Sequence, residues 1–298
     1  MEFTKIQGTG NDFIIIDNRK YALTLEELST LAKNICKRKY SIGADGLIAI
    51  EYPSKDADFK MNFFNSDGSI AEMCGNGARC AARYYNESKD IQSNNRILIE
   101  AKSGVVSAWR IDRRKYKIKL NNPTLIKLDE KLNINGINID YSYVELGYPG
   151  LPHVAVRYKN LINVEKCDIL DIAQKIRHYK IFNNGTNVSF YDIIDDSTKT
   201  YDIKLDKDSV IIRTYERGVE NFTLACGTAA GAVATVISLK NELPQKIIKL
   251  ISEGGELNVE INKIDKNNIE DIFLIGDTNI IATGIIKDEN LEEKYGEN

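Results

Sequence analysis

Histidine is nearly absent from this sequence: its 298 residues hold two, His153 and His178. The five cysteines, Cys36, Cys74, Cys80, Cys167 and Cys226, include no C-x-x-C pair. A structural zinc site would have little to draw on, so no metal is expected. An odd cysteine count without a secretion signal argues against a disulfide framework. No apolar run approaches the roughly 20 residues that a spanning helix needs. The opening residues, MEFTKIQGTGNDF, lack the apolar core of a signal peptide, and a cytoplasmic location is expected. Neither sign of charge dominates: the net charge is −3 with both signs interspersed. That leaves no electrostatic footprint for nucleic acid or a membrane surface. The segment GTGNDF is not a dinucleotide fingerprint, and no G-K-[ST] follows a glycine loop. What remains is an ordinary globular composition, 43% apolar, long enough for two domains or one large one.

The chain carries one long, weak internal repeat. GTGNDFIIID (8–17) and GLPHVAVRY (150–158) each open a strand on a turn, with Asn11 and His153 142 positions apart. An amphipathic helix is expected next in each half. In TLEELSTLAKNICKRK, Thr24 and Glu27 form a capping box. In DILDIAQKIRHYKIF, Asp168 is the expected cap. Then GADGLIAI matches GTNVSFYDII, with Asp45 and Asn187 again 142 apart, and strands FKMNFFNSDG and VIIRTYERGV follow. Each half finally reaches a Cys-Gly helix entrance, EMCGNGARCAARYY and LACGTAAGAVATVI, with Cys74 and Cys226 152 apart. The longer polar connection DDSTKTYDIKLDKDS accounts for the extra ten positions. Alternating segments RILIEA, VVSAWRI, YKIKL, ELNVEI, DIFLIG and NIIATGII predict further strands. The expected class is α+β: two strand-rich halves, each with a small-residue helix opening on a cysteine. The second of these helices, nearly all small or apolar, should be buried. The boundary is expected near LNNPT (120–124). This gives an N-terminal half of 1–119 plus 278–298, to which the last strand returns, and a C-terminal half of 120–277.

A helix N-terminus presents free N–H groups and partial positive charge. Both favour a thiolate and would hold a carboxylate, which glycines allow to approach closely. If two such entrances faced one another, a carboxylate-bearing carbon would lie between two thiols. Inverting a stereocentre takes a base on one face and an acid on the other, and two opposed cysteines can exchange those roles. Other readings of a cysteine at a glycine-rich helix entrance stay open at this point: a small buried residue, or half of a reversible disulfide.

At these residues the chain resembles the diaminopimelate epimerases, cofactor-independent racemases of lysine and peptidoglycan biosynthesis. FTKIQGTGNDFIIID, FFNSDGSIAEMCGNGARCAARY and YERGVENFTLACGTAAGA carry the likeness, which runs over about 1–285. The resemblance implies two pseudo-symmetric barrel-like halves, each around a central helix, with the active site in the cleft between them. It implies Cys74 and Cys226 as the acid/base pair, with His153 and Glu216 flanking and tuning the thiols. Asn11, Asn65, Asn187, Glu216 and Arg217 would line the substrate pocket, and Gly75, Asn76, Gly227 and Thr228 would hold the reacting α-carboxylate. The expected partner is a small amino-acid substrate, with no cofactor, no nucleic acid, no membrane and a possible homodimer. Departures from the family pattern stand at Gln7, Leu151, Asn183-Asn184 and Ala229. Leu151, where the family usually has asparagine, keeps open a racemase of another amino acid such as lanthionine or histidine. A thiol-disulfide redox-responsive binding protein is the alternative of another class. Cys36 and Cys80 are read as core, Cys167 has no role, and His178 is read as surface. Asp12, Asp45 and Asp67 are read mainly as turn and cap residues.

Overall fold

The computed structural model describes residues 1–71, 74–89, 95–195, 205–265 and 268–287. The backbone divides into two compact units, Met1–Ile118 with Gly276–Asn298, and Lys119–Ile275. In chain order the first elements are β1 (Glu2–Gly8), β2 (Asn11–Asp17), α1 (Leu25–Ile35), β3 (Gly46–Glu51), β4 (Phe59–Asn65), α2 (Gly75–Ser88), β5 (Ile97–Ala101), β6 (Gly104–Arg110) and β7 (Lys115–Leu120). Then come β8 (Pro123–Ile134), β9 (Ile137–Leu146), β10 (Leu151–Arg157), α3 (Lys166–Arg177), β11 (Asn187–Ile193), β12 (Val210–Glu216) and β13 (Asn221–Phe222). The chain ends with α4 (Gly227–Leu239), β14 (Ile247–Ser252), β15 (Gly255–Lys263), β16 (Ile269–Asp277) and β17 (Asn279–Ile285).

The two units repeat one pairing scheme. In the first, β1 pairs antiparallel with β2 and β17. β2 pairs parallel with β3, β3 antiparallel with β4, and β4 parallel with β5, which is followed by antiparallel β5–β6 and β6–β7. In the second, β9 pairs antiparallel with β8 and β10, β10 parallel with β11, β11 antiparallel with β12, β12 parallel with β14, and β14 antiparallel with β15. The connections that carry α1 and α3 join parallel neighbours, as a crossover helix does. Registers differ slightly: Phe13 lies opposite Gly46, whereas His153 lies opposite Asn187. The second connection is therefore one residue longer, and the constant sequence offset does not hold through it. The hairpin β8–β9 was not anticipated by the strand pattern. Much of the polar connection DDSTKTYDIKLDKDS lies outside the described residues.

Each unit has a central helix. α2 packs against β1 through β6, and Gly75 to Arg83 are all buried. α4 packs against β9, β10, β11 and β15, and every residue from Ala229 to Leu239 is buried. Glycine, alanine and serine let the strands approach these helices closely. α1 follows its sequence signal. Thr24 Oγ1 accepts from Glu27 N at 3.3 Å, and the Glu27 carboxylate accepts from Thr24 N at 2.7 Å. Its stripe of Leu28, Leu31, Ala32 and Ile35 is buried, and burying each leucine or isoleucine stabilises by roughly 1.5–3 kcal/mol. α3 begins earlier than its sequence suggests. Glu165 is the N-cap, and Asp168 is the third helical residue of a capping box, its carboxylate accepting from Glu165 N at 3.3 Å. A glutamate is an uncommon cap, so the shorter aspartate three positions on drew the prediction.

Candidate active site

In the first unit, Cys74 is the N-cap of α2, in extended backbone with φ −127° and ψ 117°. Its carbonyl accepts from Ala78 N at 2.8 Å, and its sulfur accepts from Gly77 N at 3.4 Å. The sulfur thus receives a hydrogen bond at the positive end of a helix, the environment that favours thiolate. A Cβ at Gly77 would stand 3.4 Å from Cys74 Cβ and 3.3 Å from Ile48 Cδ1, so glycine keeps that space open.

Around it the asparagines form a chain. Asn76 Nδ2 donates to Asn11 Oδ1 at 2.6 Å, and Asn11 Nδ2 donates to Asp45 Oδ2 at 3.1 Å. Asp12 N donates to the same Asp45 oxygen, and Asp45 N returns a bond to Asp12 Oδ1, both at 3.1 Å. Arg38 bridges Asp12 and Asp45, and Lys5 lies 3.2 Å from Asp12. Burial opposes ionisation of Asp12, yet hydrogen bonds from Arg38 and Lys5 hold its carboxyl below the usual range. Asp12 and Asp45 are thus more than turn and cap residues: they clamp β2 to β3 where Asn11 emerges. Asp67 does act in a turn, accepting from Ser69 N at 2.8 Å. Asn65 belongs to that turn as well, donating to Ser69 Oγ at 2.9 Å.

In the second unit, Cys226 is the N-cap of α4 with φ −125° and ψ 114°, nearly the backbone geometry of Cys74. Its carbonyl accepts from Ala230 N at 3.0 Å, and its sulfur lies 3.4 Å from Thr228 Oγ1. Burial, then the Glu216 carboxylate near it, pushes this thiol up. Burial also raises Glu216, against the lowering effect of the hydrogen bond from Thr223. Thr223 donates to Glu216 Oε1. Asn187 is buried; its Oδ1 accepts from Arg217 N at 2.9 Å and its Nδ2 donates to Pro152 O at 3.1 Å. Arg217, half-buried, donates from Nη1 to Asn184 O at 3.3 Å.

His153 is 1% exposed, and neither ring nitrogen has a hydrogen-bond partner among the described residues. Burial, then the Arg217 charge, pushes it down to about 3, so the ring is neutral at ordinary pH.

Comparison with known proteins decides the kinship. The profile of the family described as diaminopimelate epimerase matches residues 3–126 and 147–281. A diaminopimelate epimerase of Aquifex aeolicus is 36% identical over 303 residues, covering 98% of this chain and 100% of that protein. One of Archaeoglobus fulgidus is 32% identical, covering 96% of each. The chain belongs to the diaminopimelate epimerase family. It is an isomerase, of the epimerase class. Its fold is also that of more distant proteins. A Bacillus anthracis protein of the PhzF family superposes with a TM-score of 0.69 at 15% identity, covering 96% of this chain and 98% of that one. A hydroxyproline epimerase of Agrobacterium vitis, with trans-4-hydroxy-L-proline bound, superposes at 0.68 and 13% identity, covering 96% and 90%.

For this member of the epimerase family, the structure joins Cys74, Gly75, Asn76 and Asn11 in one cluster of the first unit. In the second it joins Cys226, Gly227, Thr228 and Glu216, and separately His153, Asn187 and Arg217. Cys36 and Cys80 are buried, each thiol pushed up to about 12 by burial, so both are inert core residues. Cys167 and His178 are exposed. Two members of the clusters were missed by sequence reasoning. Thr223 gives no signal beyond its position three residues before Cys226. Arg79 does give one, a cation inside the buried run GNGARCAAR. Among the described residues, no three histidine, cysteine, aspartate or glutamate side chains group to hold a metal ion, and no helix is long and apolar enough to cross a membrane.

Proposed function

We propose that this enzyme epimerises LL-diaminopimelate to the meso form without a cofactor, with Cys74 and Cys226 as the acid/base pair. The observation that carries the reading is the duplicated N-cap: a cysteine in the same extended geometry at the start of both central helices, φ −127° and −125°, ψ 117° and 114°. A carbon acid as weak as an amino-acid α-C–H needs a base on one face, an acid on the other and stabilisation of the developing negative charge. The amides that open α2 and α4, beginning at Gly75 and Gly227, supply the last of these as anion-binding helix ends. Burial and the Glu216 charge keep the Cys226 thiol protonated, which suits that residue to donate. Asn11, Asn65, Asn187 and Arg217 would bind the rest of the substrate, and an arginine suits a second carboxylate. His153 would pack behind this site as a neutral ring.

The test is turnover of LL-diaminopimelate in deuterated water. Deuterium should enter the product α-position, and Cys74→Ala and Cys226→Ala should each stop it. Full turnover by either variant would sink the mechanism. Leu151 motivates a second reading, the same chemistry on an amino acid with a different distal group. Side-by-side chiral assays of diaminopimelate, lanthionine and histidine separate the two.

A further inference from the structure

Arg79 is fully buried, at 0% exposure, and its hydrogen bonds all go to neutral acceptors. Nη2 donates to Thr9 Oγ1 and Asn76 Oδ1, both at 2.9 Å, and Nη1 to Gly75 O at 3.5 Å; Nε has no partner. Among the described residues no carboxylate stands within ion-pair distance of it. Arg83, one turn on and also buried, by contrast reaches Glu87 at 3.6 Å. A buried unpaired cation is costly. Here it sits in the second turn of α2, where the helix end already carries positive charge. Such an arrangement persists when a negative charge completes it. Among the described residues, the groups whose charge acts on Arg79 are Cys80 and Cys74 on its own helix, and Asp277, too far off to form an ion pair. Beyond Asn76 and Asn11 lie Asp45 and Asp12, already neutralised by Arg38 and Lys5. Cys80 is sealed in the core. Among the described residues, Cys74, the adjacent half-buried thiol, is the group left to carry the charge.

We infer that Arg79 is a positioning residue of this enzyme: its buried charge holds Cys74 as thiolate, and its guanidinium fork fixes the Asn76–Asn11 pair beside that sulfur. The inference rests on the reading of Cys74 as an acid/base group, but its test needs no substrate. The reduced, full-length protein is given short pulses of iodoacetamide across a pH series, and alkylation of each cysteine is read by peptide mass spectrometry. Arg79→Gln keeps an amide donor and removes the charge. It should move the Cys74 midpoint up by at least about one pH unit, a tenfold loss of labelling at a fixed pH below the midpoint. Arg79→Lys should recover most of that loss. A folded Arg79→Gln protein with an unchanged Cys74 midpoint overturns the inference, as does new labelling of Cys80 with no such shift, which marks a packing role alone. Should Arg79→Gln fail to fold, the test passes to Arg79→Lys, which keeps the charge, and Thr9→Val, which keeps it but removes one hydrogen bond. Both must retain the wild-type midpoint, and a shift of about one unit in either overturns the inference. Turnover by Cys74→Ala refutes the catalytic reading separately and leaves the alkylation result standing.

Discussion

His153→Gln should remove about 2 kcal/mol of acid sensitivity from this protein. The imidazole is 1% exposed, lacks hydrogen-bond partners among the described residues, and is pushed down to about 3 by burial and by Arg217. In the unfolded chain it titrates near 6.5. Below that pH the unfolded state takes up a proton that the folded state refuses until about pH 3. The stability contributed by the buried neutral ring is therefore fully present above pH 6.5 and is lost as pH falls through this window. From about pH 7.5 to about pH 5 the chain crosses some 1.5 units of it, at about 1.4 kcal/mol per unit, giving roughly 2 kcal/mol. Glutamine does not titrate, so the variant is spared that loss. Urea unfolding of both proteins at the two pH values gives the difference of differences, in which the titration of groups common to both cancels. Because the chain has only two histidines, NMR of histidine-labelled protein offers a direct check, the variant assigning the His153 resonance. A His153 resonance titrating near its ordinary midpoint, or equal acid sensitivity in the two proteins, would refute the reasoning.

Glu216→Gln should trade activity for stability. Burial holds the folded carboxyl above its ordinary value. The advantage of its protonated form is present below about 4.5 and lost as pH rises through the folded value, whereas glutamine stays neutral throughout. Calorimetry at neutral pH should find a higher melting temperature and the deuterium assay a lower turnover; a lower melting temperature would contradict the first. Thr24→Ala, at the exposed cap of α1, should cost about 1 kcal/mol in denaturant unfolding and leave turnover unchanged.

The alternation and capping signals located most elements because each is local. The Thr24–Glu27 box and the buried stripe of α1 are legible within one helix. The β8–β9 hairpin was not, because the strand Pro123–Ile134 is mostly exposed and its register breaks at two bulges, which dilutes the alternation. The cysteine entrances were legible because the repeat doubled a weak pattern. Their surroundings were not. Asp12, Asp45 and Arg38 meet only through the parallel pairing of β2 with β3. Thr223 meets Glu216 only because β13 folds back on β12. No spacing in the sequence encodes those contacts.

The repeat and its divergence bear on the same chemistry from opposite sides. Duplication gives two N-caps of one geometry, and two identical entrances would hold their protons equally tightly. A pair that removes a proton with one group and returns one with the other works only when its members differ in protonation. The difference lies five residues past each cysteine. In α2 that position is Arg79, a buried cation. In α4 it is Gly231, where even a Cβ would come within 2.7 Å of Leu120 Cδ1, so no charged side chain fits there. The second entrance is instead flanked by the Glu216 anion, which adds to the effect of burial in pushing the Cys226 thiol up. On the proposed reading, the buried cation of α2 and the anion near Cys226 would make the two thiols differ in protonation. Removing those charges, rather than altering either cysteine, is then the change that should narrow the gap between the two thiols, while burial still holds Cys226 the higher. A double variant, Arg79→Gln with Glu216→Gln, should bring the two alkylation midpoints closer together. Midpoints that stayed as far apart as in the wild type would show that burial, not these two side chains, sets the difference.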